Sequence, residues 1–538
     1  MRLDSLSTKA FTARQLVECG MLAPTRPDRL ARTVLALKDW GPTFAGGYAV
    51  AAIRYPDVTA LIDELGELTF AAVHRRTNAL AHAWSEAGIG AGDTVAILAR
   101  NHRGFVEAVV ACSKLGADAL LMNTAFSGPQ VSEVCERERA CAIVHDDEFA
   151  DVAADAATGR RQFVAWTAPD ARAVPGVPTL EALIDAGDPA EVVAPAAKGA
   201  IVILTSGTTG TPKGAYRKEP RTLDPAAALL SKIPLRARER TLIAAPLFHS
   251  WGLAHLALGL GLSATIVLLR RFDPERTLHA IDEHGANALI VAPVMLQRIL
   301  QQGPRVVRKH DTGSLRVIAA SGSALPGELA TQVQDAFGDV LYNLYGSTEV
   351  AWATIATPAD LRASPGTAGR PPRGTVVRLY DATGKEVGPG ETGRIFVGNE
   401  LAFDGYTDGG GKAVIDGLVS SGDVGHFDDD GRLHVDGRED EMIVSGGENV
   451  FPREVEDAIA LLDGVAEVAA IGVADADFGQ RLRAFVVRRD GASVSEREVK
   501  QHVKATLARF KVPRDVVFVD ELPRTATGKV LKRELAER

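Results

Sequence analysis

The ten residues Thr205-Ser-Gly-Thr-Thr-Gly-Thr-Pro-Lys-Gly214 bring three glycines, four threonine hydroxyls and one lysine together. They follow an apolar run, Ala200-Ile-Val-Ile-Leu204, that reads as a buried strand. A strand emptying into such a loop offers backbone N–H groups, hydroxyl donors and a cation at once. Polyphosphate needs those things: many donors, close backbone approach and neutralised charge. A Walker-type loop, G-x-x-x-x-G-K-[ST], is excluded, because counting from Gly207 puts Pro212 at the second glycine and Gly214 at the Mg-binding hydroxyl. The sequence therefore carries a phosphate loop of another kind.

Other groups suited to nucleotide chemistry lie downstream. Tyr345-Gly-Ser-Thr-Glu349 supplies an aromatic ring able to stack on a purine and a carboxylate able to hold Mg²⁺ bridging phosphates. Ser421-Gly-Asp423 places an aspartate where it could accept from the vicinal hydroxyls of a ribose, and Gly437-Arg438 follows it. Lys529 ends Pro523-Arg-Thr-Ala-Thr-Gly-Lys529, after a Thr-Gly turn. His249 sits in an apolar phrase, Pro246-Leu-Phe-His-Ser-Trp-Gly252, and burying an unpaired substrate ammonium beside it would cost several kcal/mol.

The elements that must position these residues follow a regular alternation. Helical spacing over Phe70–Gly88 and Phe105–Gly116 alternates with strand-like Thr94–Leu98 and Ala117–Met122. Further on, Ala288–Ala292, Leu315–Ala319 and Asp339–Asn343 read as strands, and Met295–Gln302 as a helix. Pro326 is placed to start another helix and Gly338 to end it. Such alternation predicts an α/β fold with mostly parallel sheets and ligands at the carboxyl ends of strands. The Thr205 and Tyr345 loops both fall at such ends. After about Gly374 short strands and turn signals (Asp381-Ala-Thr-Gly384, Asp430-Gly431) take over. Beyond Arg438 a small α+β unit is expected, with a helix from Pro452 and another opened by the capping box Ser495-x-x-Glu498. The predicted division is 1–439 and 440–538.

Composition excludes several classes. Over 538 residues, 60 basic against 69 acidic side chains leave a net charge of −9, which argues against nucleic acid as the main partner. Cys19, Cys112, Cys135 and Cys141 form no C-x-x-C pair, so a reducing cytosol is expected. No H-E-x-x-H arrangement predicts a protein-bound zinc. Met1–Gln15 lacks the apolar core of a signal peptide, and Leu535–Arg538 is no peroxisomal address. Thr241–Leu269 has no charged residue, but Pro246, His249, His255 and several glycines favour a buried loop, helix and strand over a membrane span. Gly259-x-Gly261-x-x-Ala264 within it mimics a dinucleotide fingerprint in the wrong order, with a helix before and a strand after.

The string Ser206–Gly214 closely resembles the phosphate-binding signature of the adenylate-forming superfamily, which includes acyl-CoA synthetases, adenylation domains and luciferases. Signatures in the expected order run from residue 205 to residue 529. The resemblance implies a large N-terminal domain with a β-barrel-like subdomain and a small mobile C-terminal domain. It also implies an ATP site of Thr205, Ser206, Gly207, Thr208, Thr209, Gly210, Lys213, Tyr345, Gly346, Ser347, Thr348, Asp423 and Arg438. Tyr345 would lie against adenine, Glu349 would bind Mg²⁺, and Asp423 with Arg438 would hold ribose. Asp440 would be the hinge, and Ser445, Gly446 and Gly447 would line the CoA side after rotation. Lys529 would serve adenylation alone, with Glu349 and His249 as its catalytic companions. Acids with an α-amino group are disfavoured, because His249 stands where amino-acid-activating domains place an aspartate. His249, Trp251, Gly252 and Ser321-Gly322-Ser323-Ala324 would form the acid site.

The implied activity is ATP-dependent conversion of a hydrophobic acid to acyl-AMP and then to a CoA thioester, with ATP, Mg²⁺ and CoA as co-substrates and no tightly bound cofactor. The apolar pocket segments point to a medium- or long-chain fatty acid. Residues up to about Pro56 resemble an extension of bacterial fatty-acid–CoA ligases. Within it Arg29–Trp40 reads as an amphipathic helix, for packing on the body rather than on a membrane surface, so peripheral membrane association stays open. Alternatives are an aryl-CoA ligase, an acyl-AMP ligase loading a carrier protein, a luciferase, and a non-enzymatic lipid-binding protein. Monomer and homodimer are both compatible with the sequence.

Overall fold

Runs rich in Val, Ile, Leu and Ala become strands covered on both faces. Val317–Ala320, Ala288–Val291 and Thr265–Leu268 are buried at every position, hence their unbroken apolar sequence. The computed structural model describes residues 5–537 apart from 169–173, 175, 206–212, 218–221, 348, 402, 407–410, 446–447, 476–478 and 526–527. The chain divides into two units, Met1–Ala320 with Phe403–Gly411, and Ser321–Ala402 with Lys412–Arg538.

The first unit holds two sheets. In one, Ile201–Thr205, Asp118–Leu121, Thr94–Leu98, Ala140–Asp146 and Arg161–Trp166 lie in that order, all parallel. Lys213–Arg217 and then Phe403–Tyr406 extend its edge antiparallel. In the other, Val317–Ala320, Ala288–Val291, Arg240–Ile243, Thr265–Leu268 and Thr59–Asp63 are parallel neighbours, and Gly66–Thr69 pairs antiparallel at the end. Helix Arg103–Leu115 is buried along most of its length. It starts where the His102 ring accepts from Gly104 N and stops at Gly116, whose φ of 73° suits a residue without Cβ.

The second unit begins with the antiparallel pair Leu341–Tyr345 and Thr354–Ala356. A meander of Val376–Tyr380, Gly393–Gly398, Leu418–Phe427 and Leu433–Arg438 follows, antiparallel throughout. Its core includes Leu379, Ile395, Val397 and Leu433. From Ile443 onward a different core forms, around Ile443, Val455, Ile459, Leu482 and Val499. There Val465–Asp475 and Gly479–Arg488 pair antiparallel, Asp515–Phe518 joins parallel, and helices Pro452–Ala460 and Glu496–Thr506 pack alongside. The Ser495–Glu498 capping box is formed in both directions.

The expected mostly parallel α/β architecture is present, with local differences. The strand expected at Asp339–Asn343 is Leu341–Tyr345, two residues later, because Gly338 turns at φ 84° and the pairing partner Thr354–Ala356 sets the register. Pro326 is the extended residue before helix Gly327–Phe337 rather than its first residue. Thr241–Leu269 is strand, loop, helix Ser250–Gly261 and strand; among the described residues no helix is long and apolar enough to cross a membrane. Arg29–Trp40 falls in helix Pro27–Trp40, which buries Thr33 and Trp40 but leaves Leu30, Val34, Leu35 and Leu37 between 48 and 58 % exposed. Packing on the body therefore accounts for one face of that helix.

Candidate active site

In the first unit, Thr205 ends one strand and Lys213 begins the next, directly opposite each other in an antiparallel ladder. This pairing holds the two ends of the phosphate motif side by side. Ser206, Gly207, Thr208, Thr209 and Gly210 lie outside the described residues.

His249 is the half-buried residue that opens helix Ser250–Gly261. Trp251, the second residue of the helix, donates from Nε1 to the Val291 carbonyl at 3.1 Å, fixing the helix to the neighbouring strand. Its ring meets the His255 ring edge-on at 4.1 Å between centroids. His255 Nδ1 donates to the Trp251 carbonyl at 3.0 Å, and burial holds this imidazole down at about 4, so it is neutral at pH 7. Gly252 answers a steric demand: a Cβ there would stand 2.4 Å from the Pro246 carbonyl oxygen.

The second unit gathers the rest. Tyr345 closes its strand, and its hydroxyl donates to Asp423 Oδ2 at 2.6 Å and lies 3.1 Å from Ser421 Oγ. Asp423 and Arg438 are partners across two antiparallel strands, with Arg438 NH1 3.6 Å from Asp423 Oδ1. Burial raises the Asp423 carboxyl despite the opposing pull of the Tyr345 hydroxyl, Arg438, Ser421 and the Lys529 charge. Burial likewise pushes the Tyr345 phenol well above its ordinary value, with the Asp423 charge adding to it. Tyr345, Asp423, Arg438 and Lys529 thus form one electrostatic neighbourhood.

Gly346 is required by backbone contact, since a Cβ would lie 2.1 Å from the Ala351 carbonyl oxygen. Ser347 Oγ accepts from Glu349 N at 3.2 Å, so the serine shapes the turn that presents the half-buried Glu349. Ala351 closes the turn at φ 61°, a left-handed conformation costly for a residue with Cβ. Thr348 lies outside the described residues. Among the described residues no three His, Cys, Asp or Glu side chains converge on a metal position. A lone carboxylate such as Glu349 could share a Mg²⁺ with phosphate and water, which need no protein cluster.

Ser321 Oγ is committed to the Leu344 carbonyl at 2.8 Å, while Gly322 turns at φ 95° and Ser323 and Ala324 face outward to different degrees. Asp440 lies in the short turn Glu439–Glu441. Ser445 ends strand Ile443–Ser445 with its backbone opposite Glu448 and Gly479; Gly446 and Gly447 are outside the described residues.

Lys529 is exposed on a turn in which Thr525 N donates to the Lys529 carbonyl and Lys529 N to Thr525 Oγ1, at 2.8 and 3.1 Å. Spacing rules do not single out the brace of this turn. Arg524 donates to the Gly528 carbonyl at 2.6 Å and pairs with Glu467 at 2.8 Å. Nor do they reveal Lys532, which bridges Glu441 and Glu456 at 2.9 and 3.0 Å. Arg524 sits inside a motif and is open to notice, but its partner 57 residues away carries no local signal.

Residues 48–407 match the AMP-binding enzyme family and residues 454–529 the AMP-binding enzyme C-terminal domain. The chain belongs to the AMP-binding enzymes. It is a member of the adenylate-forming superfamily, on its CoA-ligase branch. It is 34% identical over 501 residues to a feruloyl-CoA synthase of an Amycolatopsis species, covering 92% of this chain and 98% of that protein. It is 32% identical over 519 residues to an indoleacetate–CoA ligase of Aromatoleum aromaticum, covering 94% and 98%. Its fold is similar to that of o-succinylbenzoate CoA synthetase from Bacillus subtilis in complex with an acyl-adenylate intermediate. That match has a TM-score of 0.78 at 27% identity, over 91% of this chain and 97% of the other. Family and fold agree with the resemblance carried by the sequence motifs.

Proposed function

We propose that this enzyme is an AMP-forming acid–CoA ligase whose acid carries an aromatic ring. The observation that carries the reading is the Tyr345–Asp423–Arg438–Lys529 neighbourhood, which suits a nucleoside monophosphate bearing a developing charge. An oxygen of the substrate carboxylate attacks the α-phosphorus of ATP, and the bond to pyrophosphate breaks to give acyl-AMP. Arg438 and Asp423 grip the ribose, Tyr345 lies against adenine, and the phosphate motif with Lys213 holds the departing pyrophosphate. Lys529 neutralises charge at the reacting oxygens, and Glu349 takes the Mg²⁺ that accompanies ATP. The thiol of CoA then attacks the acyl carbonyl, AMP leaves with the bonding pair, and the thiol proton passes to solvent. Both steps rest on positioning and electrostatics.

The apolar pocket segments that suggest a fatty acid suit a flat ring equally well, since burial rewards apolar area whatever its shape. The relatives named above, acting on feruloyl, indoleacetyl and succinylbenzoyl groups by their names, favour the ring. His249 stands beside the reacting carboxylate in this reading.

A hinge at Asp440, and a mobile body formed by 440–538, also belong to the proposal. The replacement of one core by another between Leu433 and Ile443 supports it. So does the Lys532–Glu441–Glu456 bridge, which ties the first residues after the hinge to the body beyond.

The test is AMP release from ATP with benzoates, cinnamates, indoleacetate and a fatty-acid series, with and without CoA. CoA-dependent turnover peaking on an aromatic acid supports the proposal. A peak at one aliphatic chain length restores the fatty-acid reading, and adenylate formation indifferent to CoA moves the enzyme to carrier loading.

A further inference from the structure

The loop Ala244–Phe248, which delivers His249, joins strand Arg240–Ile243 to helix Ser250–Gly261. Its backbone groups have few strand partners, and such groups need others when buried. One side chain from the neighbouring sheet supplies several. Asn101, three residues past strand Thr94–Leu98, is 5% exposed. Its Nδ2 donates to the Ala245 carbonyl at 2.9 Å and to the Ile243 carbonyl at 3.3 Å, and its Oδ1 accepts from Leu247 N at 2.8 Å. A single carboxamide thus satisfies three backbone groups, one at the end of strand Arg240–Ile243 and two in the loop. The amide orientation is set by these partners, because a flipped group would face oxygen to oxygen.

Asn101 is itself held from both sides. Arg100 N donates to Asp146 Oδ2 at 3.0 Å, and His102 Nε2 lies 2.8 Å from Asp146 Oδ1, with His102 and Asp146 fully buried. The other ring nitrogen of His102 accepts from Gly104 N at 3.1 Å, so Nε2 carries the proton given to Asp146. Beyond the loop, His249 N donates to the Pro246 carbonyl at 3.1 Å, within the segment that Asn101 clamps. The chain of fixed groups runs from Asp146 through the 100–102 turn and the Asn101 carboxamide to the backbone that places His249.

We infer that Asn101 is a positioning residue for the acid half of the site, acting through the Ala244–Phe248 loop on His249 and helix Ser250–Gly261. The inference rests on the acid–CoA ligase reading, in which that helix start borders the carboxylate. It assigns Asn101 no contact with substrate. Its effect falls on acid binding and on the alignment of the carboxylate, while ATP is gripped by other residues.

The experiment compares wild type, Asn101→Ala and Asn101→Asp in AMP formation, varying acid and ATP separately. Asn101→Asp is isosteric and keeps the acceptor for Leu247 N, but turns two attractions to carbonyls into repulsions. The expected result is a rise in KM for the acid of about 10- to 100-fold in both variants, with KM for ATP unchanged within about twofold. Leu98→Ala, which creates a cavity in the preceding strand and leaves the carboxamide in place, is the control for mere destabilisation and keeps the wild-type KM for the acid. Folded Asn101 variants with an unchanged acid KM, or with acid and ATP KM rising together, overturn the inference. If neither variant folds, hydrogen exchange on the wild type decides: a Leu247 amide as slow as those of strand Arg240–Ile243 upholds the clamp, and one exchanging like an exposed loop amide overturns it. A wild type that activates no acid refutes the ligase reading instead, so the two failures are distinct.

Discussion

The Tyr345 hydroxyl donates to Asp423 Oδ2 at 2.6 Å, joining the end of one strand to a residue 78 positions further along the chain. One oxygen of the carboxylate is thereby occupied, and the other lies toward Arg438, where the proposed ribose would meet it. The aromatic ring that suits a purine and the acid that suits its sugar are therefore set by a single contact.

Tyr345→Phe keeps the ring and removes the donor. Burial already raises the Asp423 carboxyl, and the tyrosine hydroxyl opposes that rise, so the substitution lifts it further. The ionised carboxylate is the form that accepts from ribose. The expected outcome is an ATP KM that worsens on acidification from a higher pH than in wild type, with little change at alkaline pH. Steady-state KM for ATP across pH 5 to 9 checks this; superimposable profiles would refute the coupling.

Lys529→Ala should lower acyl-AMP formation on the order of 10²- to 10³-fold and leave thioester formation from supplied acyl-AMP near wild type. The two half-reactions are followed as pyrophosphate release and as CoA consumption. Equal loss in both would assign Lys529 to a general structural role.

Asp440→Pro restricts φ at the proposed hinge. The expected outcome is the reverse pattern: acyl-AMP forms normally and thioester formation fails. An enzyme unimpaired in both steps places the pivot elsewhere.

His255 gives the fold a pH dependence. Its imidazole titrates at about 4 in the folded chain and near ~6.5 when unfolded, so the folded state binds fewer protons between these values. The stability it contributes is complete above about pH 6.5, declines as pH falls through the window and is exhausted near pH 4. The full span amounts to on the order of 3 kcal/mol. Urea unfolding at pH 7.5 and 5.0 should show a smaller loss for His255→Leu than for wild type. Identical losses would show that another group governs the acid side.

The alternation that predicts parallel layers rests on local periodicity, and strands such as Thr94–Leu98 fall where it places them. Capping is equally local, and Ser495 with Glu498 forms the box that its spacing announces. The motif residues stand out in the sequence because the phosphate, magnesium and ribose proposed for them each demand particular side chains near a strand end. Tyr345 stands out in this way although the strand it ends runs two residues later than its apolar spacing predicts. The acid was harder to read, since apolar residues report burial and not the shape of what is buried.

The sequence by itself determined the α/β class, the family signature between Thr205 and Lys213, and the residue types proposed for the nucleotide site, because short-range spacing and chemical need suffice for those. Only the tertiary structure decided that Asn101 clamps the loop before His249, that Arg524 leans on Glu467 to brace Lys529, and that Asp423 answers to Tyr345. These bonds join groups 146, 57 and 78 residues apart. Such partners share no period or motif, and they meet only because burial of both strands and helices leaves each polar group a single place to find its hydrogen bond.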